Sequence, residues 1–230
     1  MRTLSNLDFL ELWERGSGLH PLDRALLTLE TTLPHEPDDV LADWPLGKRN
    51  AALVRFRAAC FGQTLEGWVC CPQCDERLEF ALDTEAFADN SGSEADPITI
   101  DGRIFRPPTS RDLASISRES DPHTAALRLL RQCCLDSGDL SGADLDCIGD
   151  LLAEADPLAE TLVNLRCAEC GHQWEEELDI AAWLWVEIEA RARRLLFDVH
   201  TLATAYGWSE HEILSLSEPR RTLYLEMVQA

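Results

Sequence analysis

Two Cys-x-x-Cys pairs, Cys71-Pro72-Gln73-Cys74 and Cys167-Ala168-Glu169-Cys170, are the residues of this chain whose type and spacing carry the clearest chemistry. Each pair can present two thiolates from one tight turn, and two such turns supply the four sulfurs of a structural zinc site. The flanks match as well as the pairs. A shift of 96 positions lays Leu78 on Trp174, Leu82 on Leu178, Asp83 on Asp179, Ala86 on Ala182 and Phe87 on Trp183. Each knuckle is thus followed by a strand-like stretch and an Asp suited to capping a helix. The residue after each second cysteine must turn through a left-handed conformation, which Gly171 adopts freely and Asp75 tolerates. The expected ligands are Cys71, Cys74, Cys167 and Cys170, holding one structural Zn²⁺.

Other chemistries find less support. A redox dithiol needs a thioredoxin-like βαβ setting, which is absent. A catalytic zinc needs an open coordination position, and four thiolates leave none. His172, beside the second knuckle, and Cys70, beside the first, are alternative ligands that fit less well. His20, His35, His123, His200 and His211 show no ligand spacing, and Glu175-Glu176-Glu177 reads as a half-exposed strand. Asp112 and Asp121 read as helix-start residues. No nucleophile elbow, P-loop or dinucleotide fingerprint occurs. No catalytic residue and no organic cofactor site is assigned, and the expectation is a protein that is not an enzyme.

The elements that must position the knuckles are mostly helices. Ser5 with Asp8 starts one that Gly16 ends, with Leu7, Leu10, Leu12 and Trp13 as its apolar face. Pro21 opens a second, carrying Leu22, Ala25, Leu26, Leu29 and Leu33. A third follows Trp44-Pro45-Leu46-Gly47 and closes at Gly62. Trp68 and Val69 enter the first knuckle, and Leu78, Phe80 and Leu82 leave it with strand periodicity. After the polar break Asn90-Ser91-Gly92-Ser93-Glu94, the pattern Ile98-Thr99-Ile100-Asp101-Gly102-Arg103-Ile104-Phe105 predicts a hairpin on a type I′ turn. Thr109 with Asp112 opens another helix, and helices are expected over 122–135 and 143–155 with a Ser-Gly-Asp loop between. The second knuckle spans about 161–179. A long helix over about 180–205 stops at Gly207, Ser209 with Glu212 caps a short one, and Ser217 with Pro219 begins the last.

The predicted fold class is α+β and mainly helical: a split zinc ribbon (63–88 and 161–180), a hairpin-and-helix insertion (96–158), and helical segments at 1–62 and 181–230. Closing the ribbon spans about 92 intervening residues, an entropic cost that grows slowly with length. The 230 residues, 45% hydrophobic, suffice for a real core. No apolar run approaches the ~20 residues of a membrane span, and the first residues lack a signal-peptide core. Nine cysteines with metal spacing among them point to a reducing cytoplasm. Cys60, Cys133, Cys134 and Cys147 read as buried thiols. A net charge of −22 opposes binding to a phosphate backbone. Arg191, Arg193 and Arg194 form the best basic patch, but they alternate with Glu187, Glu189 and Asp198 as a solvated helix face would. Around Tyr206-Gly207-Trp208 and Tyr224, an aromatic helical hairpin is expected. It packs Trp208 and Tyr224 inward or presents aromatics and arginines for docking.

Several segments together resemble the T-even-phage-type baseplate hub assembly chaperone family, in the form found with contractile phage-tail-like injection systems. They are Leu12-Trp13-Glu14-Arg15-Gly16, His20-Pro21-Leu22-Asp23-Arg24-Ala25-Leu26, Leu46-Gly47-Lys48-Arg49-Asn50 leading to Phe61-Gly62, the Cys71 knuckle with Leu78-Glu79-Phe80, Arg103-x-Phe105-Arg106-Pro107-Pro108, and Tyr206-Gly207-Trp208-Ser209. The resemblance implies a non-catalytic role in assembling, or forming part of, a baseplate or hub. Its partners would be baseplate, hub or spike proteins, with no nucleic acid and no membrane. It carries over no catalytic residues, and the zinc reading rests on this sequence alone. The alternative reading is a zinc-ribbon nucleic-acid-binding regulator.

Overall fold

The computed structural model describes residues 1–88, 96–136, 140 and 145–229. The polar break at 90–94, the Ser-Gly-Asp loop and the start of the helix expected from 143 lie outside the described residues. The chain is α+β, with eleven described helices and three separate two-stranded antiparallel sheets.

The helices begin where local hydrogen-bonding chemistry starts them. Helix α1 (Asn6–Gly16) opens on a capping box in which Ser5 and Asp8 satisfy each other's backbone N–H. Helix α2 (Pro21–Thr32) has Pro at its first turn and His20 as N-cap. A short α3 (Asp38–Ala42) precedes α4 (Leu46–Phe61), which ends at Gly62 with φ 97°. The first hairpin is β1 (Thr64–Cys70) with β2 (Arg77–Asp83), followed by α5 (Glu85–Ala88). Next comes the hairpin β3 (Ile98–Ile100) with β4 (Arg103–Phe105). Its turn residues Asp101 and Gly102 both have positive φ, as a type I′ turn requires. Helices α6 (Ser110–Ile116), α7 (Pro122–Cys133) and α8 (Leu145–Ala155) complete the insertion. The second knuckle hairpin is β5 (Leu162–Arg166) with β6 (Gln173–Glu177). Helix α9 (Ile180–Tyr206) stops at left-handed Gly207, and α10 (Glu210–Leu214) and α11 (Glu218–Gln229) follow.

Helix α9 is the spine. Helices α1, α2, α4, α10 and α11 all pack on it. The main core collects Phe9, Leu29, Leu53 and Phe56 with Leu184, Ile188 and Leu195 of α9. A second core sits under the β3–β4 hairpin, where Ile100 and Phe105 meet Leu130, Cys133, Ile148 and Leu152 of α7 and α8. On α1, Leu7 is exposed and Phe9 takes the buried place. With the register at Leu10 and Leu12, Phe9 reaches Phe56 and Phe61 across the core while Leu7 turns outward. Charged pairs lock the frame. Arg57 of α4 clamps Glu187 of α9 at 2.7 and 2.9 Å, and Arg221 of α11 reaches Asp198 of α9 at 2.8 Å with both side chains buried. Among the described residues, no helix is long and apolar enough to cross a membrane.

Candidate metal centre

The two knuckles are built alike, to the level of single hydrogen bonds. In the first, Cys71 N–H donates to the Glu76 carbonyl at 2.8 Å, and Asp75 N–H donates to the Cys71 carbonyl at 2.9 Å. In the second, Cys167 N–H donates to the His172 carbonyl at 2.8 Å, and Gly171 N–H to the Cys167 carbonyl at 3.0 Å. Strand pairing repeats too: Val69 opposes Leu78, and Leu165 opposes Trp174. Asp75 (φ 61°) and Gly171 (φ 75°) hold the left-handed turn positions. These turns aim backbone N–H groups at the sulfurs, which stabilises thiolate charge.

The repeats meet at their cysteines. The four Sγ atoms of Cys71, Cys74, Cys167 and Cys170 lie within 4.8 Å of one another. Cys71 Sγ is 3.7 Å from Cys170 Sγ, and Cys74 Sγ is 3.6 Å from Cys167 Sγ. A tetrahedral centre with metal–sulfur bonds of about 2.3 Å needs sulfurs about 3.8 Å apart. The donor set therefore fits a metal ion in both chemistry and spacing. Cys71 and Cys167 are buried and Cys74 and Cys170 are exposed, so each repeat contributes one inner and one outer ligand.

Proton affinity within the cluster is uneven. The Glu76 N–H pulls the Cys74 thiol down, but hydrogen bonds to the neighbouring sulfurs, Cys170 first, outweigh it and push the group up to about 12. The Cys170 N–H, against a smaller effect of burial, lowers Cys167 to about 7. One sulfur gives up its proton near neutrality while another holds on, so loading a metal must expel protons from the cluster.

The other residues that the sequence singled out fall outside this arrangement. His172 stacks on Trp174 with ring centroids 5.8 Å apart and is not among the clustered donors. Cys70 is exposed at the end of β1, outside the cluster. Cys133 is buried and Cys60 and Cys134 are half-buried, as small apolar thiols would be, but Cys147 is exposed: it lies on the outer face of α8, whose inward residues are Ile148 and Leu152. Asp112 completes the capping box with Thr109 and takes both guanidinium nitrogens of Arg106 at 2.7 and 2.9 Å. Asp121 caps α7. Both are structural carboxylates.

The sequence did not reveal how the repeats are joined away from the sulfurs. A Cβ on Gly67 of β1 would overlap the rings of Trp183 and Phe80. Trp183 opens α9, which follows the second knuckle, and it meets Phe80 of the first hairpin edge-on at 5.6 Å. Glycine in mid-strand is the one signal of this joint, since it marks close approach by a neighbour. No family model, curated protein or solved structure matches the chain.

Proposed function

We propose that the four cysteines hold a structural zinc and that the protein is a non-catalytic assembly factor or component of a contractile phage-like tail baseplate or hub. The convergence of the two knuckles carries the metal part of this reading. Four soft thiolates in a tetrahedral spacing suit zinc and fill its coordination sphere, so the ion clamps and does not catalyse. The ribbon is split between two hairpins, and the clamp fixes the start of α9 relative to α4 and α5.

The role in assembly is supported by the family resemblance and by what the clamped frame displays. Helices α9 and α11 leave large apolar side chains in solvent: Val186 at 63%, Phe197 at 61%, Leu223 at 55% and Met227 at 64% exposure. A protein with net charge −22 has ample means to stay soluble, and apolar side chains at this exposure suit contact with other proteins. Tyr206, Trp208 and Tyr224 stack on one another, with Trp208 half-buried and Tyr206 exposed. The nucleic-acid alternative is disfavoured by charge: Arg193 is paired with Glu189 and Arg191 lies over Phe9.

The test is recovery of the tagged protein from its own host, with mass spectrometry and metal analysis on one eluate. Sheath, tube, hub or baseplate proteins with about one zinc per chain are expected. Nucleic acid, metabolic enzymes or no tail-like component would refute the assembly reading, and iron in place of zinc would refute the metal assignment.

A further inference from the structure

Three arginines are buried among the described residues, and they are not equivalent. Arg57 and Arg221 each face a carboxylate. Arg49, in the first turn of α4 and only 6% exposed, has none. Its Nε and one Nη donate to the Asn50 side-chain oxygen at 3.0 and 2.8 Å, and the other Nη donates to Ser110 Oγ at 3.1 Å. A guanidinium has five N–H donors, so two remain. Asn50 cannot offer more, because its amide donates to the Leu158 carbonyl at 2.7 Å. Burial lowers the pKa of Arg49, and the charge of Asp179 opposes that without forming an ion pair. Buried charges are ordinarily paired, since losing water without compensation costs several kcal/mol.

Arg49 also lines a cavity of ≈150 Å³ between α2, α4, α6 and the two ends of the β5–β6 hairpin. Thr161 lines it too. That side chain is buried, and its hydroxyl has no hydrogen-bond partner. An unsatisfied hydroxyl and an arginine with N–H donors to spare thus line one small space. Leu22, Leu113 and Ile180 supply apolar wall, and the exposed Glu160, Glu177 and Asp179 form the rim.

We propose that this cavity binds a small monocarboxylate, whose oxygens take the free N–H groups of Arg49 and the Thr161 hydroxyl while its short alkyl part lies against Leu22 and Leu113. The rim sets the charge limit: Glu160, Glu177 and Asp179 repel every anion, a phosphate dianion about twice as strongly as a monocarboxylate, so only a single negative charge held against the guanidinium is admitted. The cavity volume limits the ligand to a short-chain acid. This site is independent of the assembly reading and of the metal.

The test is thermal melting of the whole, metal-loaded protein with sodium propionate, against sodium chloride and phosphate at matched ionic strength. Propionate is expected to raise Tm with the logarithm of its concentration above Kd, by about 5–10 °C at a hundredfold excess over Kd, with no specific rise from phosphate. Thr161→Val is expected to raise the ligand-free Tm, because an orphan hydroxyl is removed, and to weaken propionate binding about tenfold. Arg49→Gln is expected to abolish the response; should it fail to fold, Thr161→Val decides. The proposal is overturned by no propionate shift beyond that of sodium chloride, by an equal shift with phosphate, or by an unchanged propionate response in Thr161→Val.

Discussion

Replacing Cys71 by Ser removes an inner sulfur from the cluster and with it the link that the proposed zinc would make between Cys71 and Cys170, 99 positions apart. The magnitude follows from that separation. Cross-linking a loop of roughly 100 residues removes about 4–5 kcal/mol of unfolded-chain entropy, and this bears on a total stability of only about 5–15 kcal/mol. For a chain of this length, each kcal/mol moves Tm by about 2–4 °C, so the expected fall is about 8–20 °C. Ser supplies no soft thiolate, and bound metal should drop from about one per chain to none. Cys167→Ser should match Cys71→Ser, and the double variant should melt with either single one, because a broken clamp cannot be broken again. A strong chelator should bring the parent protein down to the same Tm. Differential scanning calorimetry beside metal analysis reads all of these. Parent-like melting in both single variants, or fully additive losses, would show that the four sulfurs do not act as one clamp.

Three further perturbations probe the frame around the centre. Arg221→Ala strands Asp198 as a buried carboxylate without its cation and should cost about 3–5 kcal/mol by urea denaturation, whereas a loss under about 1 kcal/mol would mean water replaces the guanidinium. Asp156 is buried against the N-terminus of α4, where desolvation raises its pKa against the pull of the Gly47 N–H. A raised folded-state pKa favours the native state below the unfolded value of about 3.9, and that contribution is lost as pH rises through the folded value. Asp156→Asn should therefore flatten Tm against pH in that window and match or exceed the parent at neutral pH; a lower Tm there would contradict this sign. Gly67→Ala pushes a methyl group into the Trp183 and Phe80 rings and should cost about 1–3 kcal/mol with a changed tryptophan emission, and an unaltered spectrum would refute the interlock.

Local chemistry makes much of this molecule legible in its sequence. The capping boxes at Ser5, Thr109 and Ser209, Pro21 at a first turn, the Asp101-Gly102 turn and left-handed Gly207 are short-range signals, and each marks an element boundary in the structure. The clustered cysteines are legible because a repeated knuckle keeps its donor spacing wherever the halves meet. Tertiary choices are not. Leu7 and Phe9 differ by two positions on one helix, and only the location of Phe56 and Phe61 decides which is buried. Helix α3 is a five-residue turn with no side-chain cap to announce it. Nothing local marks Arg49 for burial; Ser110 and Thr161 are brought around it from distant parts of the chain.

The split between the knuckles also fixes an order of events during synthesis. The first pair leaves the ribosome 96 residues ahead of the second, a delay of about 5–20 s at ordinary elongation rates. Helices α1, α2 and α4 wait longer still, since the helix that covers them, α9, begins only at Ile180. During that interval the nascent chain carries the Cys71–Cys74 dithiol with Cys70 beside it and nothing to share a metal with. The interval is therefore the time at which oxidation does most harm, and a reducing milieu matters more to the newborn chain than to the finished one, whose sulfurs the ion would shield.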